Sequence, residues 1–308
     1  MKNSRRILSV VICLVLFASL AQAKKFSDPP AGQGVSTVGT IPGSDYATLA
    51  QAAADFNGLA GGCTGDWTLL INSDLTEPAN VPFGNSTNGY MVTMRPAPGV
   101  EPVVSMTAAT VGTVPGHLII GAGAANSFGA LIKTDNFTIN GCSDDAFSTR
   151  SLTFINNNAA IVNSRLILVV GDSDNVTIKN CHITNRSTRD TALSCVGVEF
   201  LSRTDGVNDF IPDNGTVQNC AITARGASSG TGRYGTGVKQ TNSGIITSGR
   251  AQTGFKVMDC DIQARYVGVF LGQTAGATVS NNRIRLNQYY PTQQIYGIYH
   301  VNANGASG

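Results

Sequence analysis

NVTIKNCHI at 175–183, NGTVQNCAI at 214–222 and GFKVMDCDI at 254–262 are near copies of one another, each ending in Cys, a variable residue and Ile. Cys142, Cys181, Cys220 and Cys260 stand 39, 39 and 40 residues apart. A fifth copy, ATVSNNRI from Ala277 to Ile284, follows after a shorter interval and puts Asn282 in the cysteine column. A unit that stays constant while its spacers vary must fold as a stack of similar supersecondary units.

Inside each unit the apolar positions alternate and then slip. Val176 and Ile178 are two apart, the next apolar residue is Cys181, and Ile183 follows. Period two reads as a strand with one buried face. The slip reads as a one-residue corner between two strands that face the same interior. Gly141, Asn180, Asn219, Asp259 and Asn281 occupy it, residue types that tolerate a left-handed backbone. A third strand follows each corner: VGVEF from Val196, TGVKQ from Thr236, VGVFL from Val267 and YGIYH from Tyr296. Val198, Val238, Val269 and Ile298 align there, each preceded by Gly. Three short strands per turn, stacked copy on copy, make a parallel coil with rungs about 4.8 Å apart.

These residues resemble the right-handed parallel β-helix of the pectate-lyase-like superfamily, whose second turn often carries stacked Asn, as Asn180 and Asn219 do. The resemblance spans 65–308, is strongest from 136 onward, and concerns the fold. The expected class is all-β, a three-stranded right-handed parallel β-helix with a short N-terminal capping helix. Residues 24–64 form the N-terminal segment and that helix. Ser44 or Asp45 is the expected cap, Leu49, Ala52, Ala53 and Phe56 the apolar face, and Gly58 the end. In proteins of this fold such a segment plugs the open end, where an unpaired rung invites edge-to-edge association. No matching plug is visible after YGIYH, so further rungs or a surface module are expected downstream.

Met1–Ala23 has a basic start, the apolar run ILSVVICLVLFASL and Ala21-Gln22-Ala23, the order of a secretory signal peptide. No later stretch approaches the roughly 18 apolar residues of a membrane span. An exported or cell-surface protein of bacterial type, without an integral membrane segment once processed, is expected. Cleavage at 23 leaves 18 Lys+Arg (21 less 3) against 19 Asp+Glu, a net charge of −1. With no basic cluster, that balance gives no footprint for nucleic acid. Charged residues make up 13% and glycines number 35, which with abundant Val, Ile and Thr fits turn-rich β structure rather than disorder.

Six cysteines remain in the processed chain. Four fall in the inward column, where Cys serves as a small buried hydrophobe, and free thiols are expected there. The pairing of Cys63 and Cys195 is open. Asn-x-Ser/Thr occurs at Asn85, Asn136, Asn175, Asn185 and Asn214, a short signal in an Asn- and Thr-rich chain.

Function must come from the outside of the coil. In sugar-cleaving relatives the substrate lies along the outward face of the strand corresponding to VGVEF, walled by long loops. Here that file is Glu199, Lys239, Phe270 and Tyr299. A carboxylate, an amine and two rings in a row could hold a polysaccharide or cell-surface glycan by hydrogen bonding and stacking. The plain alternative is a solvated stripe with one exposed ion pair, worth little. Nearby loops add Asp190, Asp205, Asp209, Asp213, Arg233, Tyr234, Tyr289 and Tyr290.

A structural, adhesive or glycan-binding role is therefore the leading expectation. The alternative is a polysaccharide lyase or glycoside hydrolase acting on an acidic polysaccharide, with Glu199 and Lys239 as candidate catalytic residues. Hydrolysis needs two opposed carboxyl groups. The adjacent pair Asp144 and Asp145 resembles the paired aspartates of polygalacturonases, but that family's Gly-His-Gly and Arg-Ile-Lys motifs are missing. Pectate-lyase arginine and Asp-His signatures are also missing. Asp205, Asp209 and Asp213 are the candidate Ca²⁺ ligands; they lack calcium-loop spacing, and the default is a polar turn without cofactor. Structural roles are expected for His117, His182 and His300, with His182 pointing to solvent.

Overall fold

The computed structural model describes residues 33–107, 116–122, 133–143, 149–157, 164–186, 195–204, 208–224, 235–243, 251–287 and 295–301. The expected signal segment, Met1–Ala23, and Asp144, Asp145, Asp190, Asp205, Arg233, Tyr234, Tyr289 and Tyr290 lie outside them.

Three parallel sheets wind around one interior as a right-handed parallel β-helix. The first sheet runs from Gly34–Val38 through Thr177–Lys179 to Thr278–Ser280, the second from Leu75–Glu77 through Cys181–Asn185 to Arg283–Leu286, and the third from Val81–Phe83 through Cys195–Thr204 to Tyr296–His300. The first sheet thus begins with Gly34–Val38, upstream of the expected start at 65.

Strand alternation turns each sheet's inner face into a file of apolar side chains. Leu69, Met94, Ile139, Ile178, Val217, Val257 and Val279 form the first. Leu75, Val104, Phe154, Ile183, Ile222, Ile262 and Ile284 form the second. Val81, Leu118, Ile167, Val198, Val238, Val269 and Ile298 form the third. Each buried Val, Leu or Ile contributes about 1.5–3 kcal/mol, so every added rung extends the core.

The glycine before each aligned Val is set by this core. A Cβ at Gly197 would lie 2.6 Å from Ile222 Cγ2, and one at Gly237 would lie 2.3 Å from Ile262 Cγ2. The isoleucine file of the second sheet fills the space a side chain would need.

The corners follow the asparagines. Asn180, Asn219, Asp259 and Asn281 have φ of 58°, 48°, 57° and 55°. Asn219 Nδ2 donates to Asn180 Oδ1 and Asn180 Nδ2 to Asn140 Oδ1, both at 2.8 Å. Gly141 departs from the expectation: its φ is not positive. It is needed instead for close approach, since a Cβ there would sit 1.8 Å from Asn180 O. A second left-handed column, Asn136, Asn175, Asn214, Gly254 and Gly276, turns the chain into the first sheet. Three of the Asn-x-Ser/Thr matches are therefore corner residues, and Asn185, another match, is fully buried.

The six described cysteines are free and buried. Cys181, Cys220 and Cys260 stack, with Cys220 N donating to Cys260 Sγ at 3.5 Å. Cys142 leaves this ladder. The in-register neighbour of Cys181 is Leu152, because Ser143–Ser151 separate corner from strand in that copy, and the Cys142 thiol instead meets Thr149 Oγ1 at 3.1 Å. Asn282 stands where expected, its Oδ1 accepting from Cys260 N at 2.9 Å.

Helix α1, Leu49–Asn57, closes the N-terminal end with Leu49, Ala52, Ala53 and Phe56 buried. Phe56 stacks on Trp67 at 5.7 Å between ring centroids. The cap is Thr48, not Ser44 or Asp45. Ser44 Oγ bonds Ile41 O, and Asp45 Oδ2 accepts from Thr37 N and Oγ1, so both serve the preceding turn. Glu77, fully buried, accepts from Leu49 N at 2.6 Å and Ala50 N at 3.3 Å. Among the described residues no helix is long and apolar enough to cross a membrane.

Candidate functional site

The outward positions of the third sheet form one register file: Pro82, Ile119, Leu168, Glu199, Lys239, Phe270 and Tyr299. Its character changes along the coil. Ile119 and Leu168, with Ala122, Val170 and Leu201, form a buried apolar cluster separate from the interior core. Phe270 and Tyr299 lie half-buried at the other end. Glu199 and Lys239 form the junction.

Glu199 is fully buried, which overturns the solvated-stripe alternative. Arg165 Nε donates to Glu199 Oε2. Glu199 Oε1 accepts from Thr241 Oγ1 at 2.6 Å and lies 3.2 Å from Lys239 Nζ. Burial alone would raise this carboxyl. Arg165, then Lys239, then the Thr241 hydroxyl outweigh burial and pull its pKa down to about 2. Glu199 is therefore an ionised structural anion held by three donors.

Arg203 shares the face, two alternations beyond Glu199. Burial lowers its pKa first, and the like charge of Arg165 adds to that. The Arg165 and Lys239 side chains are 13% and 19% exposed while that of Glu199 is 0% exposed. Of these three side chains, only the two cations have exposed surface.

Lys239 Nζ lies 5.8 Å from the centre of the Phe270 ring. Phe270 and Tyr299 are 5.4 Å apart, Tyr299 and Tyr296 4.5 Å, and Tyr296 and Tyr266 6.0 Å. Phe270 thus borders the cation, and a chain of half-buried rings runs on from it. Sequence reading found Glu199, Lys239, Phe270 and Tyr299 by their common register. It missed Arg165, Arg203, Thr241, Tyr266 and Tyr296, though Tyr296 opens the quoted strand YGIYH.

The remaining candidates serve elsewhere. Asp213 Oδ1 accepts from Thr253 N and Oγ1 at 2.6 and 3.0 Å. It belongs to a corner ladder in which Asp213 N donates to Asp174 Oδ1 and Asp174 N to Asp135 Oδ1, both at 2.9 Å. Asp209 lies in Asp209–Phe210, antiparallel to Cys195–Thr204. Among the described residues no group of three or more His, Cys, Asp or Glu could hold a metal ion. His182 is exposed, as expected. His117 is fully buried, its Nε2 3.1 Å from Ser164 Oγ, and burial lowers its pKa to about 4.

The fold defines the class, a right-handed parallel β-helix protein. No family model and no curated protein matches the chain. Among solved structures it is similar to pectin methylesterase from Aspergillus niger in two deglycosylated forms, at 13% identity over 90% of this chain and 88% of that one, with TM-scores of 0.42 and 0.40. The catalytic domain of a GH87 α-1,3-glucanase in complex with tetrasaccharides aligns at 11% identity over 86% of this chain and 68% of that one, with a TM-score of 0.19. Likeness at this level carries no argument about activity; the strand topology carries the fold.

Proposed function

We propose that the protein is an exported or cell-surface β-helix that binds a glycan along the outward face of its third sheet, in a structural or adhesive role. One observation carries the reading: four half-buried aromatic rings contact one another in a chain, and the first of them, Phe270, stands beside a lysine. Rings with C–H-rich sugar faces against them, and a cation beside them, are suited to saccharides because the ring buries apolar area while the sugar's hydroxyls stay solvated.

The lyase or hydrolase alternative gains no support from Glu199. An ionised carboxylate with a pKa near 2, enclosed by three donors, has no proton to give and a poor approach to a sugar carbon.

Calorimetric titration against a panel of soluble oligosaccharides tests the binding. Phe270→Ala and Tyr299→Ala should each weaken the best ligand about 10-fold with the thermal midpoint little changed. Unaltered affinity in both variants would remove the aromatic face from consideration.

A further inference from the structure

We propose that His117 and the side chains it meets form an acid-sensitive latch between the second and third sheets, through which the rungs of Gly116–Ile120 and Ser164–Val170 open in acid while the later rungs stay closed.

The latch stands where most rungs have no side chain at all. Register sets His117 in one column with Leu166, Gly197, Gly237, Gly268 and Gly297. A side chain at Gly197 or Gly237 would strike Ile222 or Ile262. His117 is instead accommodated and fully buried, with Nε2 3.1 Å from Ser164 Oγ. Ser164 is in turn tied to the ends of two second-sheet strands. Asn156 Nδ2 donates to Ser164 Oγ at 2.9 Å and to Asn185 Oδ1 at 3.0 Å, and Ser164 Oγ donates to Asn185 Oδ1 at 3.1 Å. Asn185 Nδ2 donates across the corner to Ser164 O at 3.1 Å and Val196 O at 2.8 Å. All four side chains are fully buried.

This network assigns the tautomer of the histidine. Asn185 Nδ2 faces two carbonyls, so its Oδ1 is an acceptor and takes the Ser164 hydroxyl hydrogen. Ser164 Oγ then accepts from His117 Nε2–H, which leaves Nδ1 as the basic atom. Nδ1 is buried and has no hydrogen-bond partner. A proton placed there would create a buried donor without an acceptor and a buried cation without an anion. The surrounding elements supply neither. Val81–Phe83 and Val103–Met106 carry no titratable group, and Ser164–Val170 carries only Arg165, which is bonded to Glu199. Cys195 stands beside Ser164 in register, and the strands ending in Asn156 and Asn185 bring Cys181 and His182. Glu77, at the end of the second-sheet strand one rung earlier, is bonded to the amides of helix α1. Among the described residues no charge shifts His117, and burial lowers its pKa to about 4.

Opening the corner returns Nδ1 to water, where its ordinary value is near 6.5. The open form therefore takes the proton first as pH falls below 6.5, and the drive to open is complete near 4. Stacked rungs open in contiguous units. The later rungs close this corner with glycine against isoleucine, which no proton disturbs.

Native-state hydrogen exchange at pH 7 and pH 5, corrected for the intrinsic effect of pH on exchange rates, tests the latch. The opening equilibrium of amides in Gly116–Ile120 and Ser164–Val170 should rise about 20-fold at the lower pH. Amides in Thr236–Ser243 and Val267–Leu271 should change little. In His117→Gln, whose side-chain amide can still donate to Ser164 Oγ, the rise should vanish. An equal rise along the whole third sheet, or a rise undiminished in His117→Gln, would overturn the latch. If that variant does not fold, NMR titration of the native imidazoles decides: His117 should stay neutral at pH 5 in the folded protein, and titration near 6.5 would overturn the proposal.

Discussion

Two glutamates, Glu77 and Glu199, have no exposed surface, and the two regions that hold them use the carboxylate in opposite ways. At the N-terminal end, Glu77 meets helix α1 through the amides of Leu49 and Ala50, and no cation stands opposite it among its described partners. Burial raises its pKa above 4.5, and the two amides offset this only in part. On the third sheet the same side chain meets Arg165, Lys239 and Thr241, and its pKa falls to about 2 despite complete burial. Depth does not decide the state of a buried acid. Its partners do.

The largest expected effect separates the two by deletion. Glu199→Ala leaves Arg165 and Lys239 mutually repelling and largely buried, and should cost about 3–5 kcal/mol in urea unfolding. Glu77→Ala removes only an acceptor for two helix amides and should cost about 1–3 kcal/mol. Equal losses would break the comparison.

Acid separates them by sign. Glu77 has a raised folded pKa, so the folded protein takes up that proton first, and its contribution grows as pH falls through the raised value towards 4.5. Glu199 has a depressed folded pKa, so its contribution is complete above 4.5 and is lost as pH falls from 4.5 through about 2. Thermal midpoints measured from pH 7 to pH 2 should show the lower part of the acid limb flattened in Glu199→Gln. Glu77→Gln should keep that lower part. His117, neutral and buried, contributes its own loss between pH 6.5 and about 4 in every variant, so differences between variants cancel it.

The smallest expected effect sharpens the contrast from within one site. Thr241→Val removes one neutral donor from Glu199 and should cost about 0.5–1.5 kcal/mol, moving the lower acid limb upward in pH. An unmoved limb in the same pH titration would show that the hydroxyl plays no part in holding the anion.

Much of the scaffold was legible because stacking writes itself into sequence. Alternating apolar residues gave the three inward files, the slip gave the Asn180 and Asn219 corners, and Leu49, Ala52, Ala53 and Phe56 gave the helix face. The second corner column was also written there, as Asn or Gly one or two residues before the first-sheet strands from Phe137 onward, but Asn136, Asn175 and Asn214 also read as modification signals. Cys142 misled because its spacing matched while its rung carried Ser143–Ser151 between corner and strand.

The site was less legible, and Arg165 shows why. Its rung reads Arg165-Leu166-Ile167 where its neighbour reads Val196-Gly197-Val198, so the Gly-Val signature that located the other third strands is missing. Without that rung in register, Glu199 looked like an exposed residue facing Lys239 alone.

The sequence by itself determined which side chains face inward, where the chain turns, and that Glu199, Lys239, Phe270 and Tyr299 share a file. These follow from backbone alternation and the corner residue, which are local. Only the tertiary structure decided that Glu199 is buried and ionised, that Arg165 reaches it across 34 residues, and that Tyr266 and Tyr296 complete the aromatic edge. Ionisation and burial depend on what lies on adjacent rungs, and spacers of unequal length set that neighbourhood without leaving a periodic mark.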